Sequence, residues 1–202
     1  MKRKLTFLLT ALLLLTGMTS WGQTRDENVM YTLEPVAGSN NSYAGNCDIE
    51  IDGIIWNLTG NSQMIPWRIG GKSIDGVDRD LYSKTPIDEN ISTIIIEHGT
   101  AANITVNSMT LTVSANADFS SPVSTLSGTF VASSTTTFTR PSNVDWANMY
   151  YKITYNLTNT TNSNRFIQFV GADFYAETVG SQQEIVATPT FSPVGGTYFE
   201  AQ

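Results

Sequence analysis

The chain has 202 residues, with 11 basic and 18 acidic side chains and a formal net charge of −7 at pH 7. This acidic balance argues against a nucleic-acid partner, since phosphate binding needs clustered Lys and Arg. The single cysteine, Cys47, excludes an internal disulfide. Thr, Ser, Asn, Val and Ile are abundant and no long stretch has a helical period of 3.6, so the sequence predicts an all-β fold.

Residues 1–22 have the layout of a secretory signal peptide. Lys2, Arg3 and Lys4 precede an apolar run over residues 5–15, and small residues come after it up to Gly22, where we expect cleavage. The run is shorter than the ~20 residues that a bilayer core requires, which favours a leader over a membrane anchor. The mature chain is therefore expected to be soluble, without a membrane span, and either secreted or at the cell surface on the periplasm and outer-membrane side. Loss of the leader leaves 8 basic and 18 acidic residues and a net charge of −10.

An early strand and a hairpin begin the predicted domain. Residues 29–36 alternate as a strand that Pro35 ends or places at a sheet edge. In residues 47–58, Asp52-Gly53 predicts a two-residue type I′ turn, because both residues tolerate positive φ. This turn aligns the apolar side chains of the two strands on one face and the remaining side chains on the other. The first face holds Cys47, Ile49, Ile51, Ile54, Trp56 and Leu58, and the second holds Asp48, Glu50, Ile55 and Asn57.

The middle of the chain alternates between strands and polar connections. Residues 64–72 form a short strand that contains Trp67 and Arg68, and residues 73–90 are interpreted as a long polar connection. Residues 91–98 are a nearly continuous apolar strand, as expected at the centre of a sheet. In residues 104–113 the alternation changes phase at Asn107-Ser108, which predicts a β-bulge.

Two long strands complete a count of about nine or ten short strands. Residues 149–157 show the clearest alternation, and residues 165–175 form the last strand. This number and spacing of strands predict an antiparallel β-sandwich. The hairpin side chains are expected to share one core with the later strands. That predicted core contains Cys47, Ile49, Ile51, Ile54 and Trp56 together with Ile95, Leu111, Ile153 and Tyr155.

Four sequence motifs together resemble a known family. They are Asp-Ile-Glu-Ile-Asp-Gly-Ile-Ile-Trp-Asn, Trp-Arg-Ile-Gly-Gly-Lys, Tyr-Tyr-Lys-Ile-Thr-Tyr-Asn-Leu-Thr and Ser-Asn-Arg-Phe-Ile-Gln-Phe. With them, residues 29–177 resemble an uncharacterised galactose-binding-like domain of secreted multidomain proteins from Gram-negative gut bacteria. The resemblance implies a jelly-roll sandwich, and it implies sugar or cell-surface binding more than catalysis.

A second, truncated domain is predicted after a linker. Residues 178–187 are interpreted as the linker between the sandwich and this second domain. Residues 186–202 contain Phe-Ser-Pro and Gly-Gly-Thr-Tyr, and they resemble the opening of the small sandwich domain at the C-terminus of chitobiase-type β-hexosaminidases. Residues 188–202 would then be the start of a domain whose other strands are missing, because a lone strand has no partner to pack against.

The search for catalytic motifs gives no enzyme prediction. The sequence has no His-Glu-x-x-His, Gly-x-Ser-x-Gly or phosphate-binding Gly-x-x-x-x-Gly-Lys-Ser. Its one histidine, His98, is interpreted as a strand-end residue with a local hydrogen bond. Asp48 and Glu50 lie on one strand face and could pair for glycoside hydrolysis, but solvated outer-face side chains are the preferred interpretation.

Three aspartates in the 73–90 segment suggest a metal site. Asp75, Asp78 and Asp80 could offer oxygens to a structural calcium ion, which prefers carboxylate and carbonyl ligands. The alternative is an ordinary acidic loop in which Arg79 forms a local ion pair. No other cofactor is expected.

Four residues are predicted to contact a ligand: Trp67, Arg68, Trp146 and Tyr150. Aromatic faces stack on sugar C–H surfaces, and Arg forms hydrogen bonds with hydroxyl groups. For Trp67 the alternative is a place in the core. The first functional hypothesis is a non-catalytic exported module that binds a glycan or another cell-surface ligand. The second is a structural spacer that displays a neighbouring domain, and the third is a domain associated with glycoside hydrolysis.

Overall fold

The computed structural model describes residues 28–38, 46–159 and 165–177. The predictions for the leader, the 178–187 linker and residues 188–202 lie outside these residues. In the described residues the fold is all-β, without helices, and two antiparallel six-stranded sheets form a sandwich. No helix of the described part is long and apolar enough to cross a membrane. The strands are β1 Val29–Leu33, β2 Asn46–Ile51, β3 Ile54–Thr59, β4 Asn61–Ser62, β5 Trp67–Gly70, β6 Val77–Ser83, β7 Ile91–Ala102, β8 Ile104–Ser114, β9 Pro122–Gly128, β10 Thr135–Thr139, β11 Tyr150–Asn159 and β12 Phe166–Ala176.

The strand order is that of a jelly roll. Sheet A has the order β10-β7-β12-β5-β4, with β1 also paired to β12, and sheet B has the order β2-β3-β6-β11-β8-β9. Among the last eight strands, β5 pairs with β12, β6 with β11, β7 with β10 and β8 with β9. These pairings are those of one long hairpin rolled into two facing sheets. The predicted jelly-roll sandwich is confirmed, and β1 to β4 extend it beyond the nine or ten strands expected.

The β2–β3 hairpin has the predicted turn and register. Asp52 and Gly53 have φ values of 48° and 80°, as a type I′ turn requires. Ile51 pairs with Ile54, and Ile49 pairs with Trp56. Trp56 is fully buried, and Ile51 and Leu58 are also buried. Cys47 and Ile49, on the edge strand β2, and Ile54, the first residue of β3, are half-buried and pack against the core.

Other local predictions are confirmed. In β8, Ser108 pairs with Asn156 and Val106 pairs with Leu157, so Asn107 is the extra residue of a β-bulge. Strand β7 lies between β10 and β12, inside sheet A. Strand β1 ends two residues before Pro35 and, among the described strands, pairs only with β12, so it is an edge strand.

Two predictions about strands are corrected. Residues 73–90 contain a seven-residue strand, β6, at Val77–Ser83. Its inward-facing positions include the polar residues Arg79 and Ser83, so the sequence shows no clear alternation of apolar and polar residues. In the run Ile94-Ile95-Ile96, the first and third side chains are fully buried, whereas the middle one, Ile95, is only half-buried. Side chains alternate across a strand, so a run of three identical residues does not reveal which one faces outward.

The core between the sheets contains a chain of aromatic contacts. Tyr31 packs edge-on against Phe174 with ring centroids 5.4 Å apart, and Tyr151 does the same from sheet B at 5.4 Å. Trp56 lies against Tyr31 and Phe174. Rings from strands of both sheets therefore meet at one place and fix the distance between the sheets.

Candidate functional site

A row of polar side chains crosses the outer face of sheet B. Directly opposed residues of an antiparallel sheet point to the same side, and the sequence neighbours of this row, such as Leu81, Tyr151 and Leu111, are fully buried. The row itself therefore faces outward. With about 4.8 Å between strands, it is about 24 Å long. In register from β2 to β9 it consists of Asp48, Asn57, Tyr82, Lys152, Thr112 and Thr125.

Phe119, from the β8–β9 loop, lies over the middle of this row. Its ring packs edge-on against Tyr82, with centroids 6.1 Å apart, and the Lys152 ammonium lies 4.9 Å from the ring centroid. Phe119 has a φ of 56°, a region that a bulky residue rarely adopts. It is half-buried rather than enclosed. The loop thus holds an aromatic side chain over a row that is mostly polar.

Hydrogen bonds within the loop hold Phe119 in this position. Asp118 Oδ1 accepts hydrogen bonds from the backbone N–H of Ser120, at 3.0 Å, and from its hydroxyl, at 2.8 Å. These bonds hold the pKa of Asp118 below its usual value. The Phe119 N–H donates to the Asn116 carbonyl at 3.0 Å. Ser114 Oγ accepts from the Asn116 N–H, which ties the loop to the end of β8.

Asp48 forms an exposed ion pair at one end of the row. Lys84 Nζ lies 2.7 Å from Asp48 Oδ2, and both side chains are nearly half exposed. Asn57 Nδ2 donates to Asp48 Oδ1 at 2.6 Å. The hydrogen bonds from Asn57 and Lys84 keep the pKa of Asp48 below its ordinary value, so it is a carboxylate at neutral pH. Asn57 Oδ1 is buried and has no hydrogen-bond partner among the described residues.

The three aspartates predicted to bind calcium each accept a hydrogen bond from a residue of β11. Asp78 accepts from Asn156 Nδ2 at 2.6 Å, and Asp80 accepts from Thr154 Oγ1 at 2.7 Å. Asp75, outside β6, accepts from a threonine hydroxyl at 3.2 Å. Among the described residues, no group of three or more His, Cys, Asp or Glu side chains could hold a metal ion. Strand β6 places Asp78 and Asp80 beside β11 instead of in a loop.

Arg79 also departs from the sequence interpretation. It is paired in register with Tyr155, which is fully buried, so it faces the interior. Its Nε donates to the Gly70 carbonyl at 2.9 Å. The local ion pair with neighbouring aspartates does not form, since Asp78 and Asp80 point to the opposite side of the strand.

Both predicted ligand-binding tryptophans lie in the core. Trp67 is fully buried, stacks on Phe169 at 5.9 Å and donates its indole N–H to the Val36 carbonyl at 3.0 Å. Trp146 is fully buried, and its indole N–H donates to Ser124 Oγ at 3.0 Å. Neither ring presents a face to solvent, so the structure favours core packing for both.

The other two predicted ligand residues lie on different sheets. Arg68 is on the outer face of sheet A, where its guanidinium lies 4.4 Å from the centre of the Phe166 ring. Tyr150 is half-buried at the start of β11, two residues before Lys152 and on the same face. The structure therefore brings only Tyr150 to the outer face of sheet B. Sequence reasoning missed Tyr82, which lies in the 73–90 segment interpreted as a connection, and Phe119, which lies in the β8–β9 loop.

His98 is a core residue within β7, four residues before its end. It is 2% exposed, and its Nε2 lies 3.0 Å from the Tyr155 hydroxyl across the sandwich. Burial lowers the pKa of His98 to about 4, so its imidazole is neutral at pH 7. The interpretation as a strand-end residue with a local hydrogen bond is wrong, because the partner comes from the opposite sheet.

A separate concavity of about 520 Å³ lies where β1 meets the β2–β3 turn and the β6–β7 connection. Tyr31 is the aromatic residue in its wall, and its hydroxyl already donates to the Ile51 carbonyl and accepts from the Trp56 indole. The described residues of its wall include no basic side chain. The lining residues are Met30, Tyr31, Asp52, Ile54, Pro86, Ile87, Asp88 and Glu89.

No protein-family model and no curated protein matches this sequence. The strand pairings establish the sandwich and its jelly-roll order without reference to a family. The galactose-binding-like assignment stays a prediction from the four motifs. The candidate site therefore rests on the geometry of the outer face of sheet B.

Proposed function

We propose that this chain is a non-catalytic, exported β-sandwich module that binds carbohydrate on the outer face of sheet B. The observation that carries the proposal is Phe119, held at positive φ over Tyr82 and Lys152. A loop that places an aromatic side chain on a polar surface at a conformational cost suits a binding role, since such strain is concentrated at functional sites. Tyr150 adds a third ring to those of Phe119 and Tyr82 on the same face.

The chemistry of the face suits a polyhydroxylated ligand. Aromatic rings offer apolar faces to sugar C–H groups, while Asp48, Lys84 and Thr154 offer both acceptors and donors to hydroxyl groups. Asp78 and Asp80 each use one carboxylate oxygen in a cross-strand hydrogen bond. A galactose-binding-like jelly roll, as the motifs suggest, is the finer form of this proposal.

The two other hypotheses have weaker support. Hydrolysis would need a pair of carboxylates free to act on a glycosidic bond. Asp48 is instead engaged by Lys84 and Asn57, and Glu50 faces solvent on the same strand. A structural spacer is the alternative function, and it makes no use of the strained Phe119 loop.

Affinity electrophoresis of the purified chain in gels containing single polysaccharides tests the proposal. We expect retardation by at least one neutral polysaccharide. Phe119→Ala should bind about tenfold more weakly, because one aromatic contact is worth up to about 1.5 kcal/mol. Its melting temperature should change little, since the ring is half-buried.

Ile65→Ala is the matched control, since Ile65 is 65% exposed but lies in the β4–β5 connection and not on this face. It should bind as the unchanged chain does. Undiminished binding by Phe119→Ala would place the site elsewhere. Retardation by no polysaccharide in a broad panel would favour the spacer.

A further inference from the structure

We infer that the ligand of this face is an extended, neutral glycan chain that crosses the strands of sheet B along the row from Asp48 to Thr125. This inference rests on the proposed carbohydrate-binding function and adds the direction, length and charge class of the ligand. It is drawn from the register of all six strands, which places one side chain of each strand on a single line.

The spacing of the row suits a stretched chain of sugar rings. Adjacent strands are about 4.8 Å apart, so the row presents a side chain at about that interval over about 24 Å. Pyranose rings in a fully extended chain repeat at nearly the same distance. Successive sugars can therefore contact successive strands, whereas a coiled chain would leave the flat sheet after one or two rings.

Phe119 lies at the middle of the row. Tyr82 and Lys152, the residues that it contacts, belong to β6 and β11, the third and fourth of the six strands. A sugar stacked there would have neighbours toward β3 and β2 on one side and toward β8 and β9 on the other. A ligand that ended at Phe119 would leave half of the row empty.

The Asp48 end of the row is equipped for a hydroxyl group. A hydroxyl both donates and accepts, and the Asp48–Lys84 pair offers an acceptor and a donor with each side chain nearly half exposed. Beside it, Asn57 is 6% exposed, and its Nδ2 donates to Asp48 Oδ1 at 2.6 Å, which holds the carboxylate in place.

The charges on the face select against anionic glycans. Asp48, Glu50, Asp78 and Asp80 outnumber the two cations, Lys84 and Lys152. One of those cations is already paired with Asp48. Uronic acids and sulfated sugars would meet net repulsion, so a neutral chain is the expected ligand.

The inference is tested by calorimetric titration of the full chain with β-1,4-linked glucose oligomers of two to six residues. Maltohexaose, the coiled α-1,4-linked isomer, serves as the shape control. Affinity should rise by about tenfold or more between the two-residue and six-residue oligomers, as contacts accumulate along the row. Maltohexaose should bind about tenfold more weakly than its extended isomer.

Two variants separate the middle of the row from its end. Phe119→Ala should weaken binding of short and long oligomers alike. Asp48→Ala should weaken binding of only the long oligomers. Glu97 is an exposed acid on sheet A, and Glu97→Ala should weaken binding of neither.

Equal affinity for two and six residues, or for the extended and coiled isomers, would overturn the inference and leave carbohydrate binding intact. Retention by polysaccharide gels without binding of any oligomer would also overturn it. Binding of no carbohydrate in either assay would instead remove the proposed function, and the inference with it.

Discussion

His98 joins the two sheets through a polar contact inside an apolar core. Its Nε2 meets the Tyr155 hydroxyl, and its Nδ1 is buried without a hydrogen-bond partner in the part of the chain that the structure describes. The Phe130 ring packs edge-on at 4.8 Å. Tyr155 is neutral, since burial raises its pKa. The residue paired with Tyr155 on the neighbouring strand β6 is the basic Arg79. No acidic residue among these neighbours would stabilise an imidazolium.

Acid should therefore destabilise the fold through His98. The unfolded chain takes up a proton near pH 6.5, whereas the folded chain does so only at about pH 4. Between these values the unfolded state binds more protons, so the free energy of unfolding falls as the pH falls. The loss of unfolding free energy that His98 causes is nearly absent above pH 6.5 and reaches about 3 kcal/mol by pH 4.

Urea denaturation at pH 7, 5.5 and 4 measures this effect against His98→Gln. The carboxyl groups titrate alike in both proteins, so the difference between their pH profiles isolates the histidine. The variant should lose about 3 kcal/mol less than the unchanged chain over this range. Parallel profiles would mean that His98 is protonated without cost in the fold.

At the scale of elements, the β2–β3 hairpin depends on the backbone of two residues. A Cβ added at Gly53 would meet no atom within 4 Å, so sterics with the rest of the protein do not restrict this position. Only its φ of 80° favours glycine here. The preference for glycine at position 53 therefore comes from the backbone conformation of the turn and not from packing around it.

Gly53→Ala should therefore lower the free energy of unfolding by about 1–2 kcal/mol, the cost of a left-handed conformation. Gly53→Asn should cost less, because Asn tolerates this region better. Chemical denaturation of the two variants checks the order. An alanine variant as stable as the unchanged chain would show that the turn had changed type.

At the scale of the whole molecule, β12 is the strand on which sheet A depends. It pairs with β7 along one edge, while β5 and β1 share the other. It also supplies Ile167, Phe169 and Phe174, all fully buried, to the core. A rolled hairpin closes only when its two outer strands pair, so the fold is incomplete until β12 is in place.

A chain that ends at residue 164 should therefore fail to unfold cooperatively, as followed by near-UV circular dichroism on heating. A chain that ends at Glu177 keeps β12 and serves as the control. It should melt at the temperature of the full chain if residues 178–202 are the linker and separate segment that the sequence predicts. A cooperative transition in the shorter chain would contradict the role given to β12.

Features that depend on near neighbours were predictable from the sequence alone. The Asp52-Gly53 turn, the Trp56 face of the hairpin and the bulge at Asn107 all follow from turn chemistry and an alternation of period two. Each involves residues within a dozen positions of one another. The all-β sandwich follows from the same local signals repeated along the chain.

Only the tertiary structure decided which side chains form the candidate site. Tyr82 and Lys152 are 70 positions apart and become neighbours through the pairing of β6 with β11. Trp67 and Trp146 have the aromatic side chains expected of residues that contact a sugar, but packing between the sheets encloses both rings. Phe119 carried no periodic signal, because its place over the row comes from a loop folded back on the sheet. Alternation in the sequence predicts which side chains share one side of a strand. Which of the two sides becomes part of the core depends on contacts between distant strands.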